Sequence, residues 1–327
     1  MKKLVGVSPC KTEIIEVAEP QITNPTQVKI KLKYSGICMS EHYDWSIGKN
    51  KPFGHEPVGV VVEVGEDVKS VKEGDRVSGL FDGNAEYAVT CEQNVFKLAD
   101  NISDTEGILE PLSCLISAVS KVRIRMIGER VAVVGCGYMG CGAISLLKKR
   151  GAYVVAVDIN PESVKNALTY GADEAYLVED LPENYYYIPG QGLNFDGTPG
   201  GFPLVMEWGE TNGSLDTAIR MTQQCGQLAI GAYHTGGKRL VDVQMLNVKA
   251  IDCLSTHPRE VDLNREGCKN AVKMMADESW NYKHVPTKVF PLSMFDVAQG
   301  ELQTKFGKYL KAVVDFTNGE FEPYIIE

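Results

Sequence analysis

RVAVVGCGYMGCGAISLLKKRGAYVVAVD, residues 130–158, decides how the rest of this chain is read. Residues 131–134 are an apolar run with three valines, which suits a strand buried on both faces of a sheet. Gly135, Gly137 and Gly140 follow in the spacing G-x-G-x-x-G. The first glycine permits a tight turn, the second lets the backbone approach a pyrophosphate, and the third lets the next helix pack closely on the strand. The helix opening at Tyr138 and Met139 offers free N–H groups and its positive dipole end to that pyrophosphate. Residues 153–157 form a second strand, and Asp158 stands at its C-terminal end. A carboxylate there accepts from both hydroxyls of an adenosine ribose and repels a 2′-phosphate, which favours NAD over NADP. The glycine spacing alone is a weak signal. Strand, glycines, helix, strand and acid in that order make a dinucleotide site the better reading over an ordinary glycine-rich turn.

Outward from this unit, strands and helices alternate. Residues 116–122 and 161–170 read as helices, the second ending at Gly171. Residues 204–208 read as a strand, 214–223 as a helix capped by Ser214, and 227–231 and 248–254 as further strands. The alternation predicts a doubly wound parallel sheet over residues 116–261. Residues 181–202, with glycines, prolines and three successive tyrosines, break the rhythm and read as an irregular surface loop. Residues 1–100 differ: 27–34 alternate polar and apolar, 58–64 are valine-rich, and short strands near 77 and 85–89 are separated by Gly and Asp turns. That pattern predicts a small barrel-like β domain over 1–115, which the β character returning after residue 262 completes.

The 327 residues suffice for two domains and a large core. A net charge of -10 and the lack of a long basic run argue against nucleic-acid or anionic-membrane partners. No apolar segment approaches membrane-spanning length, and the N-terminal MKKLVGVSPCKTE lacks the apolar core of a signal peptide. Nine cysteines without a paired framework fit a reducing cytoplasm.

The β domain also holds donor side chains. Cys38 lies in Ser35-Gly36-Ile37-Cys38-Met39-Ser40-Glu41-His42, His55 and Glu56 in Gly54-His55-Glu56-Pro57-Val58-Gly59, and Glu110 in Leu109-Glu110-Pro111-Leu112-Ser113. Thiolate, imidazole and carboxylate are the ligand types zinc accepts, and a catalytic zinc needs three plus an open position. Taken singly, each also reads as a buried thiol, a core histidine or a surface acid.

The ordered set of Gly36-Ile37-Cys38, Gly54-His55-Glu56, Gly74-Asp75-Arg76-Val77 and the Gly135–Gly140 turn resembles the zinc-dependent medium-chain dehydrogenase/reductase superfamily over nearly the whole chain. Glu110-Pro111-Leu112-Ser113 is similar to its sorbitol and polyol dehydrogenase branch. The resemblance implies a GroES-like β-barrel catalytic domain over 1–115 and 262–327, and a Rossmann NAD-binding domain over 116–261. It implies one catalytic zinc per subunit on Cys38, His55, Glu56 and Glu110, with Glu56 and Glu110 able to exchange as ligand. Ser40 would then start a proton relay and Glu41 would orient the histidine. The resemblance further implies hydride transfer from an alcohol to NAD, in a homodimer or homotetramer.

This chain departs from the family pattern in three places. Met39 stands where glycine or arginine is usual, Tyr43 occupies the relay-histidine position, with His42 one residue early, and the lobe of four cysteines that holds a structural zinc is absent. Cys114 is a rival fourth ligand. Trp45 and Phe53 flank the ligand segments and read as pocket wall or core. His257 and Arg259, after a strand end, read as substrate contacts or surface loop; as contacts they suit a polyol, cyclitol or sugar. The competing readings are a zinc-free NADPH-dependent quinone or enoyl reductase of the same superfamily and a non-enzymatic nucleotide-binding protein.

Overall fold

A computed structural model of the chain describes residues 1–186, 200–280, 282–304 and 307–326. The chain divides into two compact units, Met1–Cys114 with Glu260–Ser279 and Lys283–Glu327, and Leu115–Arg259 with Trp280–Tyr282.

In the first unit, valine and isoleucine alternation builds an eight-stranded, mostly antiparallel sheet. Strand Gln27–Gly36 is its centre. It pairs with Pro57–Val64, with Tyr87–Cys91 and with the late strand Lys311–Asp315. The late segment therefore does complete the first unit, through the Val313–Gly36 pairing. One core cluster holds Val28, Ile30, Leu32, Val61 and Val77. A second holds Ile37, Trp45, Phe53, Phe290 and Phe295.

The second unit holds six parallel strands: Arg130–Val134, Tyr153–Asp158, Glu174–Leu177, Phe202–Glu207, Thr222–Ile230 and Asp252–Ser255. Counted in chain order, they lie third, second, first, fourth, fifth, sixth. The order reverses between Arg130–Val134 and Phe202–Glu207, and a dinucleotide lies across such a reversal, beyond the strand C-termini. Val131, Ala132, Val133 and Val134 are all buried, as their apolar run predicts.

Several boundaries differ from expectation. The helix expected at 116–122 begins earlier, as Leu109–Lys121, so Glu110 sits in a helical first turn. Ser214 does not cap its helix. Thr211 does, with Ser214 closing a reciprocal capping box at the third helical position. The strand expected at 248–254 is a short helix, Val243–Val248, followed by Asp252–Ser255, because Asp242 caps the helix by accepting from the Met245 N–H. Most of the irregular stretch 181–202 falls outside the described residues. No described helix is long and apolar enough to cross a membrane.

Trp280 and Tyr282 return from the C-terminal half to the second unit, where both are buried. Trp280 Nε1 donates to Ser145 Oγ at 2.8 Å. The Tyr282 hydroxyl donates to the Tyr138 carbonyl, bracing the first turn of the helix Tyr138–Lys149.

Candidate metal and dinucleotide sites

Cys38 ends the extended segment after strand Gln27–Gly36 and starts the turn Met39–Glu41, while His55 and Glu56 precede strand Pro57–Val64. The Gly36 N–H donates to the Glu56 carbonyl at 2.8 Å, which brings the two segments side by side. A methyl on Gly36 would collide with the Glu56 carboxylate, so glycine two residues before the cysteine is what lets that carboxylate lie there. One ligand atom each from Cys38, His55 and Glu56 then lie within 4.8 Å of one another.

Around this trio, Glu41 is buried. Its Oε1 accepts from the Gly54 N–H at 2.9 Å and lies 3.0 Å from His55 Nδ1. A carboxylate accepts, so Nδ1 carries a proton, and Nε2 is the nitrogen left to meet a metal. The Ser40 hydroxyl donates to Cys38 Sγ at 3.2 Å. Glu56 is 1% exposed; one oxygen is ion-paired with Lys311 Nζ, and Oε1 has no hydrogen-bond partner among the described residues. Lys311 also donates to the Ile37 carbonyl at 3.3 Å.

Burial works to lower the His55 pKa, but the hydrogen bonds and charges of Cys38 and Glu41 outweigh it and push the imidazole up to about 12. Lys311 is likewise raised: burial opposes its charge, and Glu56 and Cys38 overcome that. The cluster thus favours positive charge at its centre. With soft and hard donors together and a free buried carboxylate oxygen, it fits a zinc ion.

Glu110 is not in the trio. Its Oε1 accepts from Cys114 Sγ at 3.2 Å. Burial pushes the Glu110 carboxyl up; the His55 charge opposes this and the Glu56 charge adds to it, so it lies within electrostatic reach of both. Cys114 also lies outside the trio; burial and then the Glu110 charge hold its thiol well above the ordinary range. Trp45 belongs to the core and not to a pocket wall: it is 6% exposed among Ile37, Phe53 and Phe295, and its Nε1 donates to Asp296 Oδ1 at 2.7 Å. An aromatic residue near a ligand segment reads the same either way in sequence. His42 turns its Nδ1 to the Gln299 carbonyl at 3.2 Å, and Tyr43 is exposed. Lys311 was missed. Its only sequence signal is a lysine opening an otherwise apolar strand.

In the second unit, Gly135 has φ 93°, and a methyl there would lie 2.7 Å from the Gly209 nitrogen. A methyl on Gly140 would strike the Gly135 carbonyl. Packing therefore demands both glycines. A methyl on Gly137 meets nothing within 4 Å, so no described neighbour requires glycine there and the space before the helix is open. Gly137 caps the helix Tyr138–Lys149 with no side chain on its first N–H groups, leaving that end to an anion. Asp158 Oδ2 accepts from the Cys136 N–H at 2.7 Å and Oδ1 from the Asn160 N–H at 2.9 Å. Burial raises its pKa against backbone hydrogen bonds from Cys136, Asn160 and Ile159. His257 packs its ring 5.0 Å from Tyr233, its carbonyl accepts from Lys121 Nζ at 3.2 Å, and Arg259 is exposed.

The alcohol dehydrogenase GroES-like domain matches residues 24–110, and the NAD binding domain of 3-hydroxyacyl-CoA dehydrogenase matches residues 130–180. The chain belongs to the zinc-dependent medium-chain dehydrogenase superfamily, among its alcohol and polyol dehydrogenases. It is similar to (R,R)-butanediol dehydrogenase of Bacillus subtilis (strain 168), with 34% identity over 312 residues that cover 80% of this chain and 87% of that protein. Human sorbitol dehydrogenase is 27% identical, over 88% of each chain. In fold, it resembles zinc dependent alcohol dehydrogenase 2 from Streptococcus pneumonia, with TM-score 0.80, 19% identity, and coverage of 98% of this chain and 100% of that one.

Proposed function

We propose that this protein is a zinc- and NAD-dependent dehydrogenase that reversibly oxidises a secondary alcohol of a polyol, cyclitol or sugar to a ketone. The observation that carries the reading is the convergence of Cys38, His55 and Glu56 within 4.8 Å in a chain that also holds the Gly135–Gly140 turn and Asp158. Zinc on Cys38, His55 and Glu56, with Glu110 as an alternate or water-linked ligand, supplies a Lewis acid that lowers the pKa of a substrate hydroxyl. Bound NAD would supply the hydride acceptor. Ser40 would hydrogen-bond the substrate oxygen and start the proton relay, taking the hydroxyl proton as it passes its own on toward solvent. Glu41 holds His55 with its Nδ1 proton inward, and Lys311 balances the Glu56 charge. Gly135, Gly137, Tyr138, Met139 and Gly140 hold the pyrophosphate, and Asp158 the adenosine ribose. His257 and Arg259 remain the candidates for substrate hydroxyls.

A polyhydroxylated substrate is supported by relatives that include D-xylulose reductase of Saccharomyces cerevisiae, 31% identical over 53% of this chain, and the sorbitol dehydrogenases. One solved relative in fold is bound to NADP and another to NADH, so the choice of NAD rests on Asp158. The clustered ligands count against a zinc-free reductase, which would not need them. We read the protein as a cytoplasmic homo-oligomer, in keeping with nine free cysteines and the family resemblance.

Metal analysis with NAD and NADP reduction across a panel of polyols and sugars tests this reading. About one zinc per chain and NAD reduction with a vicinal diol or polyol are expected. Absence of zinc, or of NAD reduction across the panel, would overturn it. Asp158→Ala should weaken NAD binding about tenfold or more through loss of a charged acceptor, and narrow the preference for NAD over NADP. An unchanged NAD-to-NADP ratio of kcat/KM would remove that role. Glu41→Gln keeps the shape but loses the charge behind His55. Zinc affinity, measured by competition with a chelator, should fall about 10- to 100-fold; an unaltered affinity would show that Glu41 does not support the metal.

A further inference from the structure

Glu207 ends the strand Phe202–Glu207, beside Arg130–Val134, where the strand order reverses. Its carboxylate is fully buried. Oε1 accepts from the Gly209 N–H at 2.8 Å, the Glu210 N–H at 3.0 Å and the Ser214 hydroxyl at 2.6 Å. Oε2 pairs with His234 Nε2 at 2.8 Å, and His234 follows the neighbouring strand Thr222–Ile230. The two turns are tied again by Glu210 Oε1, which accepts from the N–H and hydroxyl of Thr235, both at 2.9 Å. Arg239 closes the set by donating to the Thr235 carbonyl at 2.7 Å.

Three features mark this cluster as more than packing. The turn held by Glu207 lies directly against the first glycine of the dinucleotide motif, as the Gly135–Gly209 approach shows. Glu210 and His234 both have left-handed backbones, φ 58° and 52°, a conformation that side-chain-bearing residues keep only where their surroundings hold them. Trp208 Nε1, His234 Nδ1 and Arg239 Nε are buried without partners among the described residues. Buried polar groups are otherwise paired, so three orphaned nitrogens in two adjoining turns point to a polar ligand at this end of the sheet.

We propose that Glu207 is a positioning residue: through His234 it fixes the turns 208–211 and 231–239 as the wall for the nicotinamide-riboside half of the cofactor. Resting on the dinucleotide reading, the assignment follows from strand order. Asp158 takes the adenosine over the second strand and the glycine turn takes the pyrophosphate over the first. The remaining half then extends across the reversal onto the fourth and fifth strands, which Glu207 and His234 follow.

The test is binding to the full-length chain, with NADH followed by nicotinamide fluorescence and 5′-AMP by calorimetry, alongside the unfolding temperature. Glu207→Ala and His234→Ala should each weaken NADH about tenfold. Each should leave 5′-AMP within about twofold of the unaltered protein, and the double variant should be no weaker than the poorer single. Glu207→Gln, which keeps an acceptor for the turn, should recover part of the loss. Unchanged NADH binding, parallel weakening of NADH and 5′-AMP, or multiplicative losses in the double variant would overturn the proposal. If Glu207→Ala does not fold, His234→Ala and Glu207→Gln decide by the same criteria. Failure of the unaltered protein to bind either nucleotide would overturn the dinucleotide reading itself, a result separate from normal binding by the variants.

Discussion

Cys38→Ser is expected to lower turnover about a thousandfold while NADH binding stays unchanged. A serine hydroxyl remains neutral near neutral pH, so the substitution removes an anionic soft ligand and leaves only a weak neutral donor. It also removes the sulfur to which Ser40 donates at 3.2 Å and one of the two groups that raise the His55 pKa. Metal Lewis acidity is worth several kcal/mol at the transition state, which sets the size of the loss. The dinucleotide residues lie in the other unit and keep their own packing. Zinc stoichiometry, NADH affinity and turnover, measured together, should read low, normal and near zero. Retained turnover would refute the ligand assignment.

Lys311→Met should produce the largest loss of stability. Lys311 is 6% exposed and is the cation paired with Glu56, itself 1% exposed. Without it, Glu56 is a buried carboxylate that has lost its paired cation, which costs about 3–5 kcal/mol. In chelator-treated protein this corresponds to a fall of roughly 10 °C in unfolding temperature. Zinc at Cys38, His55 and Glu56 would supply the missing positive charge, so the fall should be clearly smaller in zinc-loaded protein. Scanning calorimetry with and without chelator measures both. Equal falls would show that Glu56 does not face the metal, and no fall would contradict the ion pair.

Much of this was legible from local pattern. The run 131–134, the three glycines and Asp158 specify one supersecondary unit within 29 residues, and the Gly140 approach to Gly135 lies inside it. Even there, the structure added a second duty for Asp158, which braces the glycine turn through Cys136. The donors Cys38, His55 and Glu56 were also visible, but as types of side chain only. Their convergence depends on two segments meeting across the Gly36–Glu56 hydrogen bond.

What the sequence by itself determined is the dinucleotide unit, the parallel sheet around it and the chemistry of the donor set, because strand and helix periods and the glycine spacing are short-range. Only tertiary structure decided that Trp45 is core, that Thr211 and not Ser214 caps its helix, that Cys114 serves Glu110, and that Lys311 stands beside Glu56. Tertiary structure also brought His234 to Glu207 across 27 residues. Burial, ion pairing and the pKa shifts they cause arise from contacts between segments distant in the chain, and no local window of residues contains them.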